Sequence, residues 1–276
     1  MLSQKTIKRE FSYSGVALHS GKQVNLIVKP APADAGICFF RTDLPGSPAI
    51  PANWQWVQQT SRCTTLERDG LRIRTPEHLL AALAGLGVDN VTLELCGEEV
   101  PMADGSAQIW VELLQEAGLV DLEQKRTVRR LTEPVWVEDQ ERLLVALPAD
   151  KLTISYTFTN PHPVVGTQFA EFTIQPETFV RELASCRTLA FWQEVEALRA
   201  RGLGLGGNLE IAVVVGEKGY LGELRFADEV VRHKILDLVG DLSLAGRLGA
   251  HVLGLRSGHA LNARLVKEIV AHSTLN

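Results

Sequence analysis

One pattern restricts the fold of this chain more than any other. A run of short strands gives way to helix, strand, helix, and the whole series occurs twice. In the first half, Val24, Leu26 and Val28 alternate as in a half-buried strand, and residues 5–13 and 37–41 read as further strands. Residues 62–66 and 71–74 read as a strand pair around Asp69-Gly70. A helix follows, with Thr75 as N-cap, Pro76 at the first helical position, Glu77 at the positive end and Gly85 or Gly87 as terminator. Leu79, Leu80, Leu83 and Leu86 form its apolar face. Residues 91–95 read as a strand and residues 106–117 as an amphipathic helix closed by Gly118.

Residues 120–130 are charged, lack an apolar face and mark the expected domain boundary. Strands are then expected near 128–136, 142–147, 152–158 and 168–174. Helices are expected from Pro176 toward Ser185 and over 189–201, then a flexible turn at 202–207 and a β-branched strand at 211–215. The ending repeats the first: a helix bearing His233, a strand at 251–255, and a last helix from about Gly258 carrying Leu261, Leu265, Ile269 and Val270. The series implies an α+β protein of two similar domains, 1–125 and 126–276. Each is a mainly antiparallel sheet backed by two helices, with the active site at the domain interface.

Composition narrows the function. The 276 residues suit one large domain or two ordinary ones, and 45% hydrophobic content is enough to bury a core. A net charge of -5 with no basic block argues against nucleic acid as a partner. The first ten residues lack a signal-peptide core and no apolar run is long enough to span a bilayer, so a cytoplasmic protein without a transmembrane segment is expected. Cys38, Cys63, Cys96 and Cys186 are far apart with no CxxC pair, which fits neither a zinc-thiolate site nor a disulfide framework.

The chemistry concentrates in residues 230–241. His233 and Asp237 are i and i+4 on one helical face, and Asp241 continues the stripe one turn later. An imidazole and a carboxylate so spaced can share one metal ion, although alone such a stripe is more often a solvated polar face. His78, at the start of the first-half helix, supplies a second imidazole if the halves pack together. Two imidazoles and one carboxylate leave a fourth position open, the form of a catalytic zinc site, and the same donors accept Fe2+. Glu77 is then placed as general base, or is only a helix N-terminal charge. His259 starts its own helix, where it can donate a proton or stabilise an oxyanion, or simply be a polar helix start. His19 reads as a turn or packing residue. The chain contains no H-E-x-x-H helix, nucleophile elbow or dinucleotide fingerprint.

Five stretches carry a resemblance to a known family: residues 75–83, Asp104-Gly105-Ser106, Arg187-Thr188, residues 231–237 and residues 257–262. In order and spacing they resemble the UDP-3-O-acyl-N-acetylglucosamine deacetylases, which perform the committed step of lipid A synthesis. With Gly15 to Gly21 included, the likeness covers nearly the whole chain. It implies His78, His233 and Asp237 as zinc ligands, Glu77 as general base, and His259 as the cationic proton donor. It further implies that Asp241 orients His259, Thr188 bonds the oxyanion, and Lys234 contacts substrate near the metal or diphosphate. An inserted element from Phe191 to Gly219 would line the acyl chain with Leu198, Leu203, Leu205, Ile211 and residues 213–215. A diphosphate-side lysine of the family falls at Arg142, and Tyr156 or Phe158 stands in for an aromatic that packs on uracil. The implied partner is a UDP-linked acylated glucosamine, handled by a monomer. Two rival readings stand beside this one: a metal hydrolase of another amide, and a metal-free module that binds a nucleotide-sugar or another protein.

Overall fold

The computed structural model describes residues 2–276. The first half runs β1 (Ser3–Ile7), β2 (Phe11–Val16), β3 (Gln23–Pro30), β4 (Ile37–Arg41), β5 (Ala49–Pro51), β6 (Val57–Gln59), β7 (Thr65–Arg68), β8 (Leu71–Arg74), α1 (Glu77–Leu86), β9 (Val91–Cys96), α2 (Gln108–Ala117) and β10 (Leu119–Lys125). The second runs β11 (Arg129–Leu131), β12 (Val135–Asp139), β13 (Arg142–Pro148), β14 (Thr153–Thr159), β15 (Thr167–Thr173) and α3 (Pro176–Thr178), which passes into a π-helical turn over Phe179–Leu183. It continues with β16 (Thr188–Phe191), α4 (Trp192–Ala200), β17 (Ala212–Val215), α5 (Glu229–Leu242), β18 (Leu248–Leu255), α6 (His259–Ala271) and β19 (Ser273–Leu275).

The duplication is visible in the sheets. The first sheet has the order β2-β3-β9-β4-β5 and the second contains β12-β13-β18-β14-β15. In each, the strand between the two helices is central, antiparallel to one neighbour and parallel to the other: β9 to β4, β18 to β14. Helices α1 and α5 therefore hold the same place in their halves, and they pack along each other. Leu79, Leu80 and Leu83 of α1 and Val231, Ile235 and Leu238 of α5 are all but inaccessible and belong to one core that reaches both sheets. Each such side chain contributes roughly 1.5–3 kcal/mol by leaving water.

Close approach of the two helices needs glycine. A Cβ at Gly240 of α5 would lie 2.1 Å from the Glu77 carbonyl oxygen at the start of α1. At the far end of α1, Gly87 (φ 79°) terminates the helix, its N–H reaching the Ala84 and Leu83 carbonyls, while Gly85 lies inside and faces the Phe179 ring. Arg247 of the second half completes this end. Its guanidinium donates to the Ala84 oxygen (2.6 Å), the Val88 oxygen (2.7 Å) and Asp89 Oδ1 (2.8 Å), and Arg126 takes Asp89 Oδ2 at 2.7 Å.

Several local expectations are corrected. Thr75 is not a side-chain cap: its φ is 54°, its hydroxyl donates to Glu99, and Pro76 precedes the helix. The charged stretch after 118 is the strand β10, paired with β1 and fully buried on neither face, so it carries no clear apolar periodicity. Residues 5–13 divide between β1 and β2, and residues 188–191 form a strand before α4 rather than part of a helix. Among the described residues, no helix is long and apolar enough to cross a membrane.

Candidate active site

The site lies where the N-terminus of α1 meets the middle of α5. His78 Nε2 and His233 Nε2 stand 3.4 and 3.2 Å from Asp237 Oδ1, and the two rings are nearly perpendicular, with centroids 5.0 Å apart. All three residues are buried, and one donor atom from each falls within 4.8 Å of the others. Asp237 Oδ1 and His78 Nδ1 have no hydrogen-bond partner among the described residues. A buried carboxylate oxygen facing two imidazoles, and otherwise alone, fits one divalent cation.

The surroundings prepare these donors. His233 Nδ1 is 3.0 Å from the Cys186 carbonyl, which fixes the N–H on that nitrogen and leaves the Nε2 lone pair free. Burial holds the His233 ring below the ordinary histidine range despite the neighbouring Asp237. Burial alone would raise the Asp237 carboxyl, but the His233 ring and the Lys234 ammonium overcome it and hold it well below the carboxylate range. Lys234 Nζ donates to Asp237 Oδ2 at 2.7 Å and stays charged, since this carboxylate outweighs the cost of burial.

The Cys186 carbonyl is itself held in place. Arg187 donates from its backbone N–H and Nε to Glu229 Oε1, both at 2.9 Å, and from Nη2 to Oε2 at 3.1 Å. Glu229 opens α5, so this buried pair sets residues 186–188 against the helix that carries His233. Thr188 follows, its N–H on the Gly105 carbonyl at 2.8 Å and its side chain lining the site cavity.

Opposite the donors stand Glu77 and His259. His259 Nε2 is 3.8 Å from Glu77 Oε1 and 4.0 Å from Asp237 Oδ2. Burial pushes the Glu77 carboxyl up, opposed by the His259 cation and reinforced by Asp241 and Asp237, to about 8. Burial would lower His259, but its hydrogen bond and proximity to Asp241, with Glu77 and Asp237 beyond, raise it to about 10. Asp241 is fully engaged: Oδ2 lies 2.8 Å from His259 Nδ1 and from Asn262 Nδ2, and Oδ1 accepts from the Thr64 hydroxyl at 2.6 Å. The Thr64 N–H also points to Glu77 Oε2 at 3.3 Å.

Two cavities meet here. One, of about 450 Å3, is lined by Glu77, His78, Thr188, Lys234, Asp237 and His259, and further out by Arg142, Phe158, Phe191, Arg256 and Arg264. The second, of about 180 Å3, is chiefly apolar and lies between α4, β16, β17 and the loop around Leu18. Leu18, Arg62, Thr188 and Leu189 line both. Of the expected acyl-contact residues, Leu198, Leu203 and Val214 face the apolar cavity. The others do not. Val213 and Val215 point the other way, onto Val165 and Val230, because successive strand residues alternate. Leu205 is 51% exposed, and the Ile211 backbone packs against Gly105. Phe191 and Arg142 line the larger cavity, as does Phe158, whereas Tyr156 is buried with its hydroxyl donating to the Ser257 carbonyl at 2.7 Å.

Sequence reasoning missed Thr64, Asn262, Glu99 and the Cys186 carbonyl. Asn262 stood within a quoted motif and Thr64 beside Cys63, but a backbone carbonyl has no residue signature. The turn at 202–207 is also more than a flexible joint: the Gly206 N–H reaches the Leu18 oxygen at 2.9 Å and the Leu205 N–H the His19 oxygen at 3.3 Å.

Comparison with known proteins agrees with the resemblance in motifs. A family model described as UDP-3-O-acyl N-acetylglycosamine deacetylase matches residues 4–271. Curated proteins named UDP-3-O-acyl-N-acetylglucosamine deacetylase are similar along almost the whole chain. That of Chlamydia caviae is 46% identical over 97% of this chain and 97% of its own length. That of Myxococcus xanthus is 44% identical over 98% and 87%, and that of Thermosynechococcus vestitus 44% identical over 97% and 94%. At such identity over such coverage, the chain belongs to the UDP-3-O-acyl N-acetylglycosamine deacetylase family.

Proposed function

We propose that the chain hydrolyses the N-acetyl group of UDP-3-O-acyl-N-acetylglucosamine, giving the free amine and acetate, the committed step of lipid A synthesis. The observation that carries this reading is the meeting of three metal-ligating side chains, on His78, His233 and Asp237, with a buried acid–base pair at the junction of a polar and an apolar cavity. The substrate divides the same way, into nucleotide-sugar and acyl chain.

His78, His233 and Asp237 would hold the cation, with zinc the proposed ion and Fe2+ compatible with the donor set. When bound, a divalent ion polarises the acetyl carbonyl and makes its water more acidic. Glu77 accepts a proton from the attacking water, a role suited to a carboxylate whose proton affinity lies near neutrality. His259, cationic and held by Asp241, stabilises the developing oxyanion and passes its Nε2 proton to the leaving amine nitrogen. The C–N bond breaks, acetate takes the oxygen of water, and the amine takes the proton. Thr188 donates its hydroxyl to the oxyanion. Lys234 keeps Asp237 ionised and faces substrate. Arg142 and Phe191 contact the nucleotide-sugar side of the cavity. Strand pairing supports a division of the chain after 125, since β10 pairs with β1 and β11 with β18 and β19.

Metal content and acetate release, measured together on wild type and His233→Ala, test this. About one ion per wild-type chain, lost in the variant along with acetate release, is expected. A folded wild type that takes up no divalent metal and releases no acetate overturns it.

A further inference from the structure

We infer that the His19 imidazole donates a hydrogen bond to the carbonyl of the ester that joins the acyl chain to the sugar. The inference rests on the deacetylase reading above and adds to it a residue that reads the acyl linkage.

His19 is 5% exposed, and neither ring nitrogen has a hydrogen-bond partner among the described residues. Buried polar groups are nearly always paired, so an imidazole with both nitrogens idle needs a reason. The turn does not supply one, because the main chain does the turn's work. The His19 and Ser20 N–H groups donate to the two oxygens of buried Glu99 at 2.7 and 2.9 Å, and the His19 carbonyl accepts from Leu205. Thr75, just ahead of α1, donates to the same Glu99, so the loop and the catalytic helix share one anchor. The backbone is fixed on both sides and the ring is left over.

Its position supplies the reason. His19 lines the narrow cavity among Leu198, Leu203 and Val214, and its neighbour Leu18 is one of the residues shared with the catalytic cavity. The ring thus stands at the mouth of an apolar channel. Burial pushes its proton affinity down, against the pull of Glu99, so the ring is neutral and carries one N–H and one lone pair. In the substrate, the acetamido nitrogen and the acylated oxygen sit on adjacent sugar carbons. With the amide at Glu77 and His259, the ester falls at the cavity junction and its chain runs inward. An ester offers acceptors only, and the His19 N–H meets the carbonyl.

The test compares two substrates of equal chain length, one with a 3-O-acyl ester and one with a 3-O-alkyl ether that lacks the carbonyl. Wild type is expected to favour the ester roughly tenfold in kcat/KM, the worth of one neutral hydrogen bond. His19→Leu should slow the ester alone and erase the preference, leaving the ether rate within about twofold. His19→Gln, which keeps an N–H donor, should retain most of it. Equal losses on ester and ether in both variants, or no preference in wild type, overturn the inference and leave His19 a packing residue. Acetate released from neither substrate by wild type overturns the deacetylase reading itself, and is seen before any variant is made.

Discussion

Helices α1 and α5 occupy the same place in two sheets of the same strand order, yet they carry different chemistry. α5 presents His233, Asp237 and Asp241 along one face over two turns. α1 presents two consecutive residues, Glu77 and His78, at its first turn and gives nearly everything else to the core. The way in differs as well. The start of α5 is fixed by the Arg187–Glu229 pair, whereas α1 is entered through Thr75 in a left-handed conformation worth roughly 1–3 kcal/mol of strain for a non-glycine residue. A duplicated scaffold has divided its labour: α5 supplies most of the proposed ion site, and α1 the proposed proton acceptor and one further ligand.

The sharpest way to break this division is to compare His233→Ala with Glu77→Gln. The first should lose bound metal and all measurable acetate release. The second should keep metal at wild-type stoichiometry while the rate falls about 10²–10⁴-fold, the usual share of general base catalysis. Equal metal loss in both would mean that α1 and α5 do not divide the work. Arg187→Ala probes the entrance of α5. It strands a buried Glu229 carboxylate and should cost about 3–5 kcal/mol in denaturant unfolding. At the crossing of the two helices, Gly240→Ala should cost about 1–3 kcal/mol, because the new methyl meets the Glu77 carbonyl. An unchanged midpoint would show that the helices are less tightly joined than their geometry implies.

The mildest test is pH. As the proposed general base Glu77 acts ionised, so kcat/KM should rise with pH through the ionisation of a carboxyl held above its ordinary range. As the proposed proton donor His259 acts protonated, so the rate should fall again at a pH above the ordinary histidine value. His259→Gln should flatten that alkaline limb and leave the acid limb in place. An alkaline limb that survives the substitution would assign the proton to another group.

Much of this site was legible because it obeys periodicity. His233, Asp237 and Asp241 follow the helical repeat, and the quoted motifs located Glu77, His78, Thr188 and His259. The duplicated order of elements was legible for the same reason. The parallel pairings of β4 with β9 and β14 with β18 were not, since they join strands far apart in sequence. β10 was hidden because a strand fully buried on neither face has no clear apolar side to alternate. Of the residues expected to contact the acyl chain, Leu198, Leu203 and Val214 line the apolar cavity; β17 turns Val214 to one side and Val213 and Val215 to the other, and an unbroken valine run does not say which. Thr64 and the Cys186 carbonyl act by single contacts that no spacing announces.

The clasp at Arg247 bears on how the protein is made. Helix α1 is complete in sequence at Leu86, yet the guanidinium that satisfies Ala84, Val88 and Asp89 is encoded some 160 residues later. Chains emerge from the ribosome N-terminus first, at about 5–20 residues per second. The first half therefore waits on the order of ten seconds or longer with its helix end open and the α5-facing side of α1 uncovered. During that interval a nascent chain presents apolar surface to any chaperone or to its own neighbours on the same message. Assembly of the proposed reaction centre thus waits for the second half, because α5 and His259 are synthesised more than 140 residues after α1.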